Sequence, residues 1–305
     1  MKEPLLNIEN LTVSFDMYDR GFEKKRLEVI HSLSLQVYDG EILAVVGASG
    51  SGKSLLANAV LGILPGNSQV SGEMIYDGIM LDADRQKKLR GKEIVLIPQS
   101  VDYLDPLMRV GKQVRGISGT AEKVKKAFRR YNLGEDVEKM YPFQLSGGMA
   151  RRVLISTAVM ADSRLIIADE PTPGLDTDMA METLSNFREL ADKGCGVLLI
   201  THDIDLAFNV ADRIAVFYAG TVVEECPVED FKAGKEALRH PYSKAFIDAL
   251  PQNDFKPIEG TQPYAGNLPE GCLFAPRCPY RTDKCAENIE MRELRGGKAR
   301  CIHAT

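Results

Sequence analysis

Short, continuously apolar segments alternate with segments of helical periodicity through most of this sequence. Each apolar segment is bounded by polar or turn residues. The five clearest are Ile42 to Val46, Ile94 to Ile97, Leu165 to Ala168, Val197 to Ile200 and Ile214 to Phe217. Strands of this kind are typical of a sheet that is covered on both faces. The pattern therefore predicts an α/β fold with a mostly parallel sheet.

The first two segments of the chain have a different pattern. Residues Leu5 to Phe15 and Leu27 to Val37 have the composition of strands, and in the second of them Leu33, Leu35 and Val37 alternate with polar residues. Alternation of apolar and polar residues indicates a strand with one solvated face.

Between Gln99 and Ser146 the apolar runs give way to a polar, basic stretch. Val124, Phe128 and Tyr131 fall on one helical face among lysines and arginines. We interpret the basic residues as the solvated face of an amphipathic helix. A helical subdomain is therefore predicted at about residues 100–160.

A glycine-rich segment directly follows the strand at Ile42 to Val46. Residues 47–54, here called the phosphate loop, read GASGSGKS and match the pattern of a loop that binds nucleotide phosphates before a helix. Lys53 is expected to neutralise the β and γ phosphates, and Ser54 to reach Mg²⁺. Backbone N–H groups of the loop should hold the phosphates of ATP. The other loop residues expected at the nucleotide are Gly47, Ser49, Gly50, Ser51 and Gly52.

Two acidic residues end the apolar strand at Leu165 to Ala168. Asp169 is placed to hold Mg²⁺, directly or through water, and Glu170 to orient or deprotonate an attacking water. Sites that bridge phosphates favour a hard cation with few protein carboxylates, which predicts Mg²⁺. An acidic pair is a weak signal alone, but it becomes specific downstream of a phosphate loop.

A pentapeptide, LSGGM at residues 145–149, lies between these two motifs. The three motifs in this order resemble the ATP-binding subunit of an ABC transporter, over about residues 4–235. The pentapeptide corresponds to the family's signature motif. The resemblance implies that Ser146, Gly147 and Gly148 open a helix toward the γ-phosphate of an ATP held by a partner subunit. Glycines permit close backbone approach and a helix N-terminus favours an anion, so two ATP molecules would join two head-to-tail subunits.

The resemblance also implies the fold and its divisions. We expect a P-loop NTPase with an ABC ATPase core, an N-terminal antiparallel β subdomain and the helical subdomain. The ABC ATP-binding domain is expected over residues 4–235, a linker or extended arm over 236–271, and a Cys-rich C-terminal tail over 272–305. Prolines and glycines spaced from Pro251 to Gly271 are typical of such an arm.

Four further residues take roles from the resemblance. Gln99 matches the loop glutamine that senses Mg²⁺ and γ-phosphate, and His202 matches the switch histidine that contacts the γ-phosphate. Phe15 matches an aromatic residue that stacks on adenine, although a Phe ending a strand is equally a core residue. Asp176 matches the D-loop aspartate, which communicates across the dimer. The Pro173-Gly174 pair before it departs from the small or hydroxyl residues usual in the family.

Four of the six cysteines lie in the last 34 residues, separated by 5, 6 and 15 residues. In a reducing compartment such a group indicates metal binding or redox chemistry rather than disulfides. Structural zinc sites usually have a tighter pair, whereas a Cys₄ iron–sulfur cluster is compatible with irregular spacing. Reduced, unliganded thiols are the remaining alternative. The four candidate ligands are Cys272, Cys278, Cys285 and Cys301.

The tail narrows the branch of the family. The HPYS segment at residues 240–243 and the GCLFAPRCP segment at 271–279 resemble the tail of the D-type ATPases of oligopeptide, dipeptide and nickel importers. Relatives with this tail carry a [4Fe–4S] cluster, which implies that role for the four cysteines. The resemblance further implies a place on the cytoplasmic face of the cell membrane. The partners would be a paralogous ATPase, two transmembrane permease subunits and a solute-binding protein.

Charge and hydropathy give no reason to expect nucleic-acid binding or a membrane-spanning segment. With 43 acidic residues against 38 Lys and Arg, the formal net charge is −5, so there is no general electrostatic reason to expect nucleic acid. The N-terminus lacks a long apolar core, and the apolar runs are far shorter than the roughly 18 residues that span a bilayer. We therefore expect neither a cleaved export signal nor a membrane anchor.

Two rival functions remain open. A non-transport ABC ATPase in DNA repair or translation commonly carries long insertions or two ATPase cassettes, whereas 90 residues separate Ser54 from Leu145 here and each motif occurs once. A regulatory subunit with a slow ATP site is disfavoured because four residues expected in an active site are intact: Lys53, Asp169, Glu170 and His202.

Overall fold

Two β-sheets and the helices around them make up the fold. A computed structural model describes residues 2–18, 24–48, 50–116, 119–160, 163–253 and 255–305. Strands β1 to β12 are Leu6–Tyr18, Lys24–Val37, Ile42–Val46, Ser68–Tyr76, Ile79–Met80, Ile94–Ile97, Leu165–Asp169, Gly196–Thr201, Arg213–Tyr218, Thr221–Pro227, Arg292–Leu294 and Gly297–Ala299. Helices α1 to α9 are Lys53–Leu61, Ala83–Leu89, Val110–Arg115, Ala121–Arg130, Gly147–Met160, Thr177–Asp192, Ile204–Phe208, Val228–Lys232 and Pro241–Asp248.

The larger sheet has eight strands in the order β11-β12-β10-β9-β3-β8-β7-β6. Its five strands from β9 to β6 are parallel, and they are the five apolar segments of the sequence. The strands β10, β12 and β11 extend the sheet by antiparallel pairing. The predicted α/β class with a mostly parallel sheet is confirmed. The loops that follow the carboxyl ends of β3, β6, β7 and β8 consequently lie at one edge of the sheet.

The N-terminal sheet is antiparallel and has the order β2-β1-β4-β5. Leu33, Leu35 and Val37 of β2 are buried, as their alternation predicts. Together with α1 and one face of the larger sheet, this sheet encloses one of the two hydrophobic cores. The predicted N-terminal antiparallel subdomain is thus confirmed, and it packs beside the phosphate loop because α1 follows that loop directly.

Helices α3, α4 and α5 contact one another beyond β6. In α4, Val124 and Phe128 are buried while Lys123, Lys125 and Lys126 are exposed, which is the amphipathic arrangement expected for a surface helix.

The C-terminal residues pack against the larger sheet. Strand β12 pairs with β10, with Ala299 opposite Glu224. Arg239, which is 1% exposed, forms an ion pair with the buried Glu224 and donates to the carbonyl oxygens of Leu294 and Arg295. Helix α9 lies within residues 236–271, the range expected from the sequence to be an arm.

Among the residues described, none of the helices has both the length and the apolar character needed to cross a bilayer.

Candidate functional site

Four loops meet at the edge of the larger sheet where its parallel strands end. The phosphate loop follows β3 and Gln99 follows β6. Glu170 follows β7 directly, and His202 follows β8. Parallel pairing of β3 with β8, β8 with β7 and β7 with β6 brings these residues together, although they are far apart in sequence.

Lys53 begins α1 and is buried within the phosphate loop. Its Nζ donates to the carbonyl oxygens of Gly47, at 3.0 Å, and Ala48, at 2.8 Å. Burial lowers the pKa of Lys53, and the nearby Glu170 and Asp169 carboxylates act in the opposite direction. The ammonium group therefore stands between the loop and the acidic pair, where it can neutralise a phosphate.

Glycines give the phosphate loop its shape. Gly50 and Gly52 have φ angles of 74° and 102°, in the left-handed region that disfavours other residues. A Cβ added to Gly47 would come within 3.0 Å of the Phe217 carbonyl oxygen on β9, so the loop is packed closely against the sheet. Ser49 lies outside the described residues.

Asp169 lies beside Ser54 of the phosphate loop. Burial raises the pKa of Asp169, and a hydrogen bond with Ser54 partly offsets this effect. The Oδ1 atom of Asp169 and the Oγ atom of Ser51 are buried without a hydrogen-bond partner among the described residues. Carboxylate and hydroxyl oxygens are the ligands that Mg²⁺ prefers, so Ser54 and Asp169 fit this ion.

Glu170 is the centre of the site. Its Oε2 accepts a hydrogen bond from Gln99 Nε2 at 3.2 Å, and its Oε1 lies 3.1 Å from His202 Nδ1. Its backbone has a φ of 46° and its N–H donates to the Ile200 carbonyl oxygen at 2.8 Å. A positive φ is uncommon for a residue with a side chain, and residues held in such conformations cluster at active sites as well as in turns. The structure thus brings together the three residues predicted to act in catalysis.

The signature residues lie at the start of α5. The Oγ atom of Ser146 accepts the Met149 N–H at 3.3 Å and so caps the helix. Ser146 and Gly147 are exposed, and Gly148 is partly exposed beside Gly174. An exposed helix N-terminus with small residues is accessible to an anion on another molecule.

Asp176 and Phe15 each have a local structural role. Asp176 caps α6, since its Oδ1 accepts the Met179 N–H at 2.9 Å, and Gly174 before it has a φ of 79°. Phe15 is half-buried on β1 and packs against the N-terminal core. Communication by Asp176 across a dimer and adenine stacking by Phe15 stay predictions.

Arg151 contacts this site, and the sequence motifs did not assign it. From the buried side of α5 its guanidinium donates to the carbonyl oxygens of Pro98, at 2.7 Å, and Gln99. Burial lowers the pKa of Arg151, while the Glu170 and Asp169 carboxylates raise it. Its signal in the sequence is a charged residue among the apolar positions of a helix.

The four tail cysteines lie close together. Burial raises the pKa of Cys301 to about 11, and the charges of Cys272, Cys278 and Cys285 contribute to the rise. Backbone N–H groups donate to their sulfur atoms, as His303 does to Cys301 at 3.3 Å. All are free thiols. Within the described ranges, no group of three or more His, Cys, Asp and Glu side chains is placed as metal ligands are.

Known proteins match this chain in both sequence and fold. Residues 30–173 match the family described as ABC transporter, and residues 223–285 match the C-terminal region of oligopeptide/dipeptide transporters. The chain is 34% identical to the dipeptide transport ATP-binding protein DppD of Haemophilus influenzae, over 97% of this chain and 94% of that protein. It is also 34% identical to the oligopeptide transport ATP-binding protein AppD of Bacillus subtilis, over 93% and 91%.

Among solved structures, the fold is similar to a dimeric ATP-binding cassette in a post-hydrolysis state bound to ADP and Pi. The TM-score is 0.64 at 26% identity, and the match covers 73% of this chain and 98% of that one.

Proposed function

We propose that this chain, which belongs to the ABC transporter ATP-binding family, couples ATP binding and hydrolysis to peptide uptake as a subunit of a membrane importer. The observation that carries the proposal is the match of residues 223–285 to the C-terminal region of peptide transporters, on the same chain as a site for ATP hydrolysis. The names of the relatives favour peptides as the solute over nickel. A non-transport role in DNA repair or translation finds no support among them.

In this function, the residues of the site bind the nucleotide, activate the attacking water or position the residue that does so. Lys53 and the loop N–H groups bind the phosphates. Glu170 orients the water and receives its proton, and Gln99 and His202 hold the two carboxylate oxygens in place. Mg²⁺ held by Ser54 and Asp169 would neutralise charge on the phosphate oxygens.

The exposed signature supports a second ATPase subunit as a partner. Ser146, Gly147 and Gly148 serve an ATP held by a second ATPase subunit, which we propose is a paralogue, and Asp176 lies at the same interface. Closure around two ATP molecules drives two transmembrane permease subunits, which receive solute from a binding protein. The ATPase subunits act at the cytoplasmic face of the cell membrane.

The test for hydrolysis is Glu170→Gln in the assembled complex. Without a carboxylate to receive the proton, turnover should fall by about a hundredfold or more while ATP binding is retained. The matched control is Glu236→Gln, at an exposed residue of the C-terminal part, which should keep normal turnover. Near-normal hydrolysis by Glu170→Gln would rule out the role given to Glu170.

We also propose that the four tail cysteines bind a [4Fe–4S] cluster, with His303 as a spare candidate ligand. The N–H groups that donate to the sulfurs support this, because such hydrogen bonds stabilise thiolates. Binding requires the four thiols to rearrange into ligand geometry.

Iron and sulfide analysis of anaerobically purified protein tests the cluster. We expect about four irons per chain, a content that Cys285→Ser lowers and that Cys195→Ser, at a buried cysteine outside the tail, leaves unchanged. Zinc in place of iron, or a metal-free protein that supports transport, would contradict the proposal.

A further inference from the structure

A buried guanidinium joins the signature helix α5 to the Gln99 loop. The Arg151 side chain lies five residues beyond Ser146 and is 5% exposed. It donates to two consecutive carbonyl oxygens, those of Pro98 and Gln99. Hydrogen bonds from a charged donor are about twice as strong as neutral ones, so the backbone of this loop is tied to α5.

The contact continues from the loop to the catalytic carboxylate. While the Gln99 backbone carbonyl accepts from Arg151, the Gln99 side chain donates to Glu170 Oε2 at 3.2 Å. The orientation of the Gln99 amide depends on where its backbone is held. Arg151 therefore acts on Glu170 through one intervening residue.

The next residue on α5 makes contacts of another kind. Arg152 donates to the carbonyl oxygens of Gly148, Tyr131 and Asn132, all within the helical part of the chain. Arg151 therefore contacts the Gln99 loop, whereas Arg152 contacts residues of the helical part of the chain. A substitution of Arg152 is for this reason an internal control for a substitution of Arg151.

We propose that Arg151 is a positioning residue for ATP hydrolysis, which holds Gln99 against Glu170 and makes that position depend on the signature helix. The inference rests on the proposed ATPase function. Because the start of α5 serves the partner's nucleotide and Gln99 serves this chain's own, Arg151 lies on a direct path between the two sites.

The first test compares kcat and KM for ATP in the assembled complex. Arg151→Gln should lower kcat about tenfold and leave KM for ATP within about twofold, since the phosphate loop is untouched. Arg151→Lys keeps a charged donor and should recover part of the loss. ATP binding and thermal unfolding are measured on each variant, so that misfolding is recognised; Arg151→Lys then carries the test if Arg151→Gln fails to fold.

A double-mutant cycle separates positioning from general stability. If Arg151 acts through Gln99, Arg151→Gln should cause less than about a twofold further loss of kcat in a Gln99→Ala background, whereas effects of independent residues multiply. Arg152→Gln should multiply with Gln99→Ala. If Arg151→Gln lowers kcat by the same factor in the wild-type and Gln99→Ala backgrounds, or leaves kcat unchanged, the inference about Arg151 is overturned. The proposed ATPase function is not affected by that result. A wild-type complex that does not hydrolyse ATP would overturn the proposed function as well.

Discussion

At the scale of single residues, polar contacts of one carboxylate organise the site. Gln99 and His202 each hold one oxygen of Glu170, and the strained backbone at Glu170 is kept in place by its N–H bond to Ile200. Strain of this kind persists only where surrounding contacts determine the conformation. The Glu170 side chain is thus oriented by contacts with residues of its own chain.

The close packing of the phosphate loop leads to a prediction at this scale. Gly47→Ala would force a methyl group against the Phe217 carbonyl oxygen, so the loop must shift. We expect a loss of about 1–3 kcal/mol in the free energy of unfolding together with at least tenfold weaker ATP binding. Gly66→Ala is the control, because a Cβ there meets open space. Urea unfolding and ATP titration measure both effects; a Gly47→Ala protein that behaves like Gly66→Ala would contradict the packing argument.

At the scale of elements, the C-terminal strands complete the larger sheet. Arg239 binds the side chain of Glu224 on β10 and two carbonyl oxygens in and beside β11. Asp230 on α8 lies 2.8 Å from the same guanidinium. A buried charge needs such partners, because an unpaired one is strongly destabilising.

Removing one member of the buried Arg239–Glu224 pair should lower the free energy of unfolding. Arg239→Met leaves Glu224 without its cation, and we expect a loss of about 3–5 kcal/mol in the free energy of unfolding. Lys232→Met, which breaks the exposed pair with Glu229, should change it by less than about 1 kcal/mol. Thermal or urea unfolding measures the loss in free energy of unfolding for each variant. Equal losses for Arg239→Met and Lys232→Met would show that a buried ion pair matters no more to stability here than an exposed one.

We expect His240 to make the free energy of unfolding depend on pH. Burial lowers the pKa of His240 to about 3, against about 6.5 in an unfolded chain. Below pH 6.5 the unfolded chain binds a proton that the folded protein does not. The free energy of unfolding therefore falls as the pH is lowered, by about 2 kcal/mol from pH 7 to pH 5.

The control for this effect is His240→Asn. Asn can accept the Tyr242 N–H that now bonds to His240 Nδ1, but it does not titrate. Urea unfolding at both pH values should give a smaller loss in the variant than in the wild type. Identical losses would show that other groups cause the pH dependence.

At the scale of the whole molecule, the proposed catalytic residues and the signature lie at different places on the chain. The catalytic residues gather at the sheet edge, whereas the signature is exposed at the start of α5. The proposed head-to-tail pair would place this exposed signature at the nucleotide of a second subunit.

A bulky charge at the signature should therefore act on the partner's site. Ser146→Arg is expected to retain ATP binding by its own phosphate loop but to lose at least tenfold of the hydrolysis in the complex, because the partner's phosphate meets a blocked helix end. Thr261→Arg, at an exposed residue of the arm, should hydrolyse normally. Normal hydrolysis by Ser146→Arg would contradict the head-to-tail arrangement.

Local patterns in the sequence were sufficient to predict the α/β class and the parallel strands, and the order of three motifs carried the resemblance to the ABC ATPase family; all three are confirmed. Strand periodicity, a glycine-rich loop and an acidic pair are contiguous signals, because each depends on neighbours in the chain. The divisions at residues 235 and 271 and the roles of individual site residues stay predictions.

Only the tertiary structure decided which distant residues meet. The contacts of Arg151 with Gln99, of Gln99 with Glu170 and of β12 with β10 join segments that no local pattern relates. The contacts around Gln99 exist because parallel strands bring separate loops to one edge of the sheet. In a buried site, an unpaired charge or hydrogen-bonding group is destabilising, so each such group needs a partner there. The sequence by itself determined the chemical groups, and the fold determined which of them act together.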